Sequence, residues 1–175
     1  RMTSPPPYAV RRESRSEFIP VRGLNYHLRR WGDASLVTPE RPPLVMMHGW
    51  MDVGASFQFV VDALAEDRYV VAPDWRGFGL TDTPQEDSYW FADYLGDLDE
   101  LLRQLSPDHP VDLLGHSMGG NVVTLYAGVR SERIRRLVNL EGFGMPATTP
   151  DEAPQRYIKW LDEIREPVQL KDYDS

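Results

Sequence analysis

Ser117 lies in Gly115-His116-Ser117-Met118-Gly119, a G-x-S-x-G pattern, between an apolar run from Val111 to Leu114 and a helix-period segment from Met118 to Val129. A serine on so sharp a strand-to-helix turn is held with its hydroxyl exposed above the sheet. Glycines on either side let strand and helix approach without Cβ clashes. The chemistry open to it is nucleophilic attack on a carbonyl carbon, and the charge that then develops on oxygen needs hydrogen-bond donors. The start of the following helix offers one, the N–H of Met118, at the positive end of the helix dipole. A second donor is expected from the loop His48-Gly49-Trp50, through the N–H of Trp50, with its indole packing the floor of the pocket. His48 reads as a loop histidine bonded to backbone and not as a general base. His116, a neighbour pointing in a different direction on the tight turn, reads as a packing residue. The competing reading of the motif is a Gly-Ser turn without chemistry.

The elements that must position these groups follow from periodicity. Ser16 to Val21 and Leu24 to Trp31 alternate partly around Arg22-Gly23, which predicts two antiparallel strands joined by a tight turn. Asp33 to Pro43 is polar and proline-containing, a loop. Leu44 to Met47, Tyr69 to Ala72, Val111 to Leu114 and Ile134 to Leu140 are short apolar runs of the kind that suits strands buried on both faces. Between them, Phe57, Val60, Val61 and Leu64 fall at helical spacing behind a candidate cap, Ser56. Trp90, Phe91, Tyr94, Leu95, Leu98, Leu101, Leu102 and Leu105 do the same over a longer span. Strands alternating with helices predict an α/β fold, a mostly parallel sheet with helices on both faces.

Composition narrows the function classes. Of 175 residues, 27 are acidic and 19 basic, a net charge of −8 that repels nucleic acid and anionic membrane surfaces. No apolar run approaches the roughly 18 to 20 residues that span a bilayer, and the N-terminus lacks the apolar centre of a secretory signal, so a cytoplasmic protein is expected. With no cysteine there are no thiolate metal sites. Neither metal nor cofactor is expected, and the partner is a small molecule.

Three motifs, His48-Gly49-Trp50, Asp74-Trp75-Arg76-Gly77-Phe78-Gly79 and Gly115-His116-Ser117-Met118-Gly119-Gly120, stand in the order and spacing of the α/β-hydrolase superfamily, which the chain resembles over about residues 16 to 165. His48 to Asp52, with Ala55-Ser56-Phe57 behind it, looks especially like the serine hydrolase-like branch. The proline-rich opening reads as a flexible tail over 1–15, and the resemblance implies the N-terminal part of the hydrolase core over 16–145 and the start of a helical cap over 146–175. It implies that Asp74 and Arg76 shape a loop beside the site without reacting, where the plainer reading is a solvated charge pair. It also implies an ester or thioester substrate; the acidic charge together with Tyr157, Trp160 and Trp50 points to an uncharged, apolar acyl or aryl group. Ring-fission C–C hydrolases and cofactor-free haloperoxidases of the same fold carry serine too, and a non-catalytic ligand-binding protein on this scaffold is the rival from another class.

The family mechanism needs an acid and then a histidine after the serine. All four histidines, His27, His48, His109 and His116, precede Ser117. Glu141, following the strand Ile134 to Leu140, is the candidate acid, or else a loop carboxylate. The expected sheet has about eight strands, of which roughly six are accounted for, leaving Ile134 to Leu140 as an edge. A truncated chain, a clip that leaves the C-terminal fragment as a separate partner chain, and a partial structure are the explanations that fit.

Overall fold

A computed structural model describes residues 6–84 and 91–140. Six strands and three α-helices alternate: β1 (Arg15–Val21), β2 (Leu24–Trp31), β3 (Leu44–Met47), α1 (Gln58–Asp62), β4 (Val70–Pro73), α2 (Phe91–Leu105), β5 (Val111–His116), α3 (Met118–Val129) and β6 (Ile134–Leu140). The sheet order is β1-β2-β4-β3-β5-β6. β1, β2 and β4 pair antiparallel, while β4, β3, β5 and β6 run parallel. The α/β architecture expected from the pattern is the one observed.

The β1–β2 hairpin closes through Arg22 and Gly23, whose φ values of 48° and 81° are both positive, as the tightest two-residue turn requires. In the interior, successive residues of β3 face opposite ways. Val45 and Met47 pack with Leu98, Leu101, Leu102, Val122, Val123 and Tyr126 of α2 and α3. Leu44 and Met46 pack with Trp31, Phe57, Val60 and Val61 on the other side. That two-sided burial is why these strands read as unbroken apolar runs.

Details differ from the expectations in ways with local causes. Ser56 does not cap α1: it lies inside a 3-10 turn, Gly54–Phe57, and its hydroxyl donates to Asp52. Phe57 occupies the cap position with no side-chain bond. The stretch 33–43 is partly ordered by local bonds: Asp33 accepts the N–H of Ser35 at 2.8 Å, starting a 3-10 turn over Ala34–Leu36, and Thr38 and Arg41 exchange backbone bonds at 3.1 and 3.0 Å. Part of the stretch expected as a flexible tail is tied down as well. The Tyr8 hydroxyl (2.7 Å) and the Arg12 N–H (2.8 Å) donate to the carboxylate of Asp62 on α1, and the Tyr8 ring lies 4.4 Å from that of Phe59. Trp90, Glu141 and the segment expected to begin a cap lie outside the described residues. Among the described residues, no helix is long and apolar enough to cross a membrane.

Topology also fixes where a site belongs. From β3 the chain passes to one neighbour, β4, and later returns to the other, β5, so the crevice at the ends of β3 and β5 is a switch point where α/β sheets bind ligands.

Candidate active site

Both loops singled out in the sequence leave the sheet at this switch point. Ser117 follows β5 with φ 55° and ψ −118°, a conformation that an L-residue adopts only under strain, at a cost of about 1–3 kcal/mol. The surrounding contacts hold it there. Its N–H donates to Leu140 O at the end of β6 (3.0 Å), and its carbonyl accepts the first helical bond of α3 from Asn121 (3.1 Å). A Cβ on Gly115 would strike the backbone of Gly119, and one on Gly119 would strike the carbonyl oxygens of Met47 and His48. Strand, elbow and helix therefore pack at backbone distance. Ser117 is exposed, and its hydroxyl makes no capping bond to the helix it precedes. The amides of Met118, Gly119 and Gly120 come before the first helical hydrogen bond and have no partner among the described residues, which leaves them as donors at the helix end after that serine.

The β3 loop abuts the elbow. A Cβ on Gly49 would sit 3.0 Å from the Cβ of Ser117 and 3.3 Å from Nδ1 of His116, so only glycine lets the two loops come so close. His48 is fully buried. Its Nδ1–H donates to Gly49 O (2.7 Å), its Nε2 accepts the N–H of Trp75 (2.8 Å), and its carbonyl accepts the Trp75 indole N–H (2.9 Å). Burial lowers its pKa, and both ring nitrogens are committed, so it is a neutral latch between the β3 and β4 loops. The side chain of Trp50 corrects the expectation. It is 58% exposed, and among the described residues its one ring contact is with the edge of Phe78, at 5.1 Å between ring centres, so it is not buried as a pocket floor there. Phe78 in turn packs edge-on to His48 at 5.8 Å.

Asp74 and Arg76 do not form a solvated pair. Both are buried, and each has its own partners. Asp74 accepts from the Gly54 N–H (2.8 Å), from His27 Nδ1 (2.8 Å) and from the Leu80 N–H (3.1 Å). Gly79, at φ 52°, leaves room for that carboxylate, which a Cβ would strike. Arg76 forms a two-pronged bond to Asp97 of α2 (2.7 and 2.6 Å), while the Tyr26 hydroxyl donates to Asp97 (2.6 Å) and accepts the Arg76 N–H (3.0 Å). The ion pair raises the guanidinium pKa, and burial beside Asp97 raises that of Tyr26. Sequence reading gave no role of their own to Trp75, Tyr26, His27 or Asp97. Helical spacing places Asp97 beside the apolar stripe of α2, which was the available signal.

Of the four histidines, His27 and His48 have both ring nitrogens engaged. His109 precedes β5, a strand length of about 20 Å from Ser117. His116 packs against Gly49.

A profile described as alpha/beta hydrolase fold matches residues 42–172. Similar proteins include a "Serine hydrolase-like protein" of Danio rerio, 28% identical over 166 residues, covering 94% of this chain and 47% of the relative. A "2-hydroxymuconate semialdehyde hydrolase" of Pseudomonas sp. (strain CF600) is 32% identical over 141 residues (75% and 48%). An "Epoxide hydrolase 2" of Siraitia grosvenorii is 34% identical over 124 residues (70% and 37%). Among solved structures, the "Thioesterase Domain From Curacin Biosynthetic Pathway" superposes with a TM-score of 0.65 at 28% identity, covering 85% of this chain and 52% of that one. The chain thus spans about half the length, or less, of the curated relatives it matches. With its sheet order, its strained serine elbow and this matched span, the chain belongs to the α/β-hydrolase family.

Proposed function

We propose that the protein is a serine hydrolase of carboxylic esters or thioesters, acting through an acyl-Ser117 intermediate. The observation that carries this reading is the strained, exposed Ser117, whose hydroxyl is left out of helix capping beside the free amides of α3. Attack by Oγ forms a tetrahedral centre whose oxygen is held by the N–H groups of Met118 and Trp50, and collapse expels the alcohol or thiol. The proton of Ser117 needs a base; His27 and His48 already have both ring nitrogens engaged, and the family order expects the base after the serine. The reading therefore assigns that role to a histidine beyond them, with Glu141 as the candidate acid. The exposed Trp50–Phe78 edge pair beside the elbow suits an uncharged, apolar acyl or aryl group. Aspartate nucleophiles of the kind expected in epoxide-opening relatives have no counterpart at position 117.

The test is a panel of esters and thioesters assayed with and without Ser117→Ala, together with peptide mapping after fluorophosphonate treatment. Turnover lost by at least about a hundredfold in the variant, and an adduct on the Ser117 peptide, support the reading. Turnover that survives the substitution would end it. Likeness to the semialdehyde hydrolase supports a second reading, C–C bond hydrolysis, which a ring-fission substrate in the same panel distinguishes.

A further inference from the structure

Away from Ser117, three side chains from three segments form a hydrogen-bonded line. The hydroxyl of Ser16 on β1 lies 2.9 Å from Nε2 of His27 on β2, and His27 Nδ1 lies 2.8 Å from Oδ2 of Asp74 just after β4. Strand register produces this arrangement. Ser16 pairs with Arg29 and Phe18 with His27, so these four side chains share one face of the hairpin and Ser16 meets His27 on the diagonal. The carboxylate of Asp74 can only accept, which places the imidazole proton on Nδ1. Nε2 is then a lone pair receiving the Ser16 hydroxyl proton. These are the groups, in order and at distance, of a serine with its base and the carboxylate that orients the base.

Exposure runs the way a reaction needs. His27 and Asp74 are 2% and 3% exposed, whereas Ser16 is open to solvent. The Phe18 ring, 5.1 Å from the imidazole, covers one side of it. Arg29, directly opposite Ser16, donates to Ser14 Oγ at 2.9 Å and keeps a buried Nε–H with no partner among the described residues. A cation therefore stands across the strand pair from the hydroxyl.

We propose that Ser16 is a second nucleophilic serine, activated by His27 and Asp74, that accepts acyl or phosphonyl groups from small reactive esters reaching the open face of the β1–β2 hairpin. Oγ bonds to the carbonyl carbon of an ester, or to the phosphorus of a fluorophosphonate, while its proton passes to His27 Nε2. Asp74 stabilises the imidazolium, and Arg29 faces the oxyanion. Collapse breaks the bond to the leaving oxygen, which takes the proton from Nε2 and departs as an alcohol or phenol, leaving acyl-Ser16; with a fluorophosphonate the P–F bond breaks instead and fluoride leaves with that proton, giving phosphonyl-Ser16.

The experiment uses the full-length protein carrying Ser117→Ala, treated with p-nitrophenyl acetate or, separately, a fluorophosphonate, and followed by peptide mass mapping over time. Ser131, exposed and with no histidine partner among the described residues, is the internal standard. General-base assistance predicts that Ser16 is modified at least about a hundredfold faster than Ser131. His27→Gln, with folding verified by thermal melting, should bring Ser16 down to the Ser131 rate, and Arg29→Gln should slow it partially. Ser16 reacting no faster than Ser131 overturns the proposal, and that comparison is made within one folded protein whatever His27→Gln does. Fast modification persisting in a folded His27→Gln protein overturns it too. Failure of the Ser117 reading would show on a different peptide of the unsubstituted protein.

Discussion

The ion pair beneath the 74–79 loop allows a quantitative test. Asp97 is fully buried and receives both prongs of Arg76, the Tyr26 hydroxyl and one nitrogen of Arg22 at 3.1 Å. Asp97→Asn keeps the shape and an acceptor for Tyr26 but strands the buried guanidinium without its counter-charge. Breaking one side of a buried pair costs about 3–5 kcal/mol. The lower end, about 3 kcal/mol, is expected here because Asp93 remains 3.7 Å from Arg76. With a urea m-value near 2 kcal/mol/M, that loss lowers the unfolding midpoint by about 1.5 M, with m unchanged. Adding Arg76→Met removes the stranded charge. The double variant should therefore be more stable than the sum of the singles predicts, by about 1–3 kcal/mol in a double-mutant cycle. If Asp97→Asn costs under about 1 kcal/mol, or the two substitutions add independently, the pair is not what holds this loop.

Other expectations follow from the same geometry. Ser117→Gly relieves the positive φ and should raise stability by about 1 kcal/mol while abolishing turnover, whereas Ser117→Ala abolishes turnover without that gain; thermal melts of the two separate strain from chemistry. Gly119→Ala drives a Cβ into the Met47 and His48 carbonyls, and a loss of about 1–3 kcal/mol with strongly reduced kcat is expected from melts and ester assays. His48, whose folded pKa is lowered by burial, contributes stability that is complete above its unfolded value of 6.5 and is lost as pH falls below that value toward the folded one. Unfolding midpoints measured from pH 7 to 5 should show that loss, and His48→Gln should flatten it. Tyr8→Phe removes the bond to Asp62 and should cost about 1 kcal/mol, together with faster proteolysis ahead of β1.

How much of this was legible in the sequence depended on the kind of force involved. Apolar runs and helical spacing report burial, so β3, β5, β6 and α3 lie where the pattern put them, and the elbow was readable because only glycine can stand at Gly115 and Gly119. Polar partners across long sequence separations leave no such trace. Nothing local to Asp74 names His27, 47 positions earlier, and nothing near Arg76 names Tyr26. The Trp50 indole was misjudged for a related reason. The motif fixes the backbone of its loop, but side-chain direction there depends on Phe78, which belongs to another segment. Ser56 failed as a cap because Gly54, held by Asp74, starts a tighter turn before the helix begins.

The polar network and the elbow form one mechanical unit. Strain at Ser117 persists only if what surrounds it cannot relax, and one neighbour that closes in on it is the β3 loop at Gly49, where an added Cβ would meet that of Ser117. That loop is pinned by His48 to both N–H groups of Trp75, whose own segment is anchored from one side by Asp74 and from the other by Arg76 through Asp97. The chain of contacts runs from α2 through the β4 loop to the serine without passing through solvent. On the serine-hydrolase reading, a weakened Asp97 pair should therefore lower kcat through misplacement of the proposed oxyanion donors, with a smaller effect on KM, since the pair acts on the elbow only through these buried contacts. A variant that loses stability but keeps kcat would show that the elbow holds its conformation from the β5–α3 junction alone.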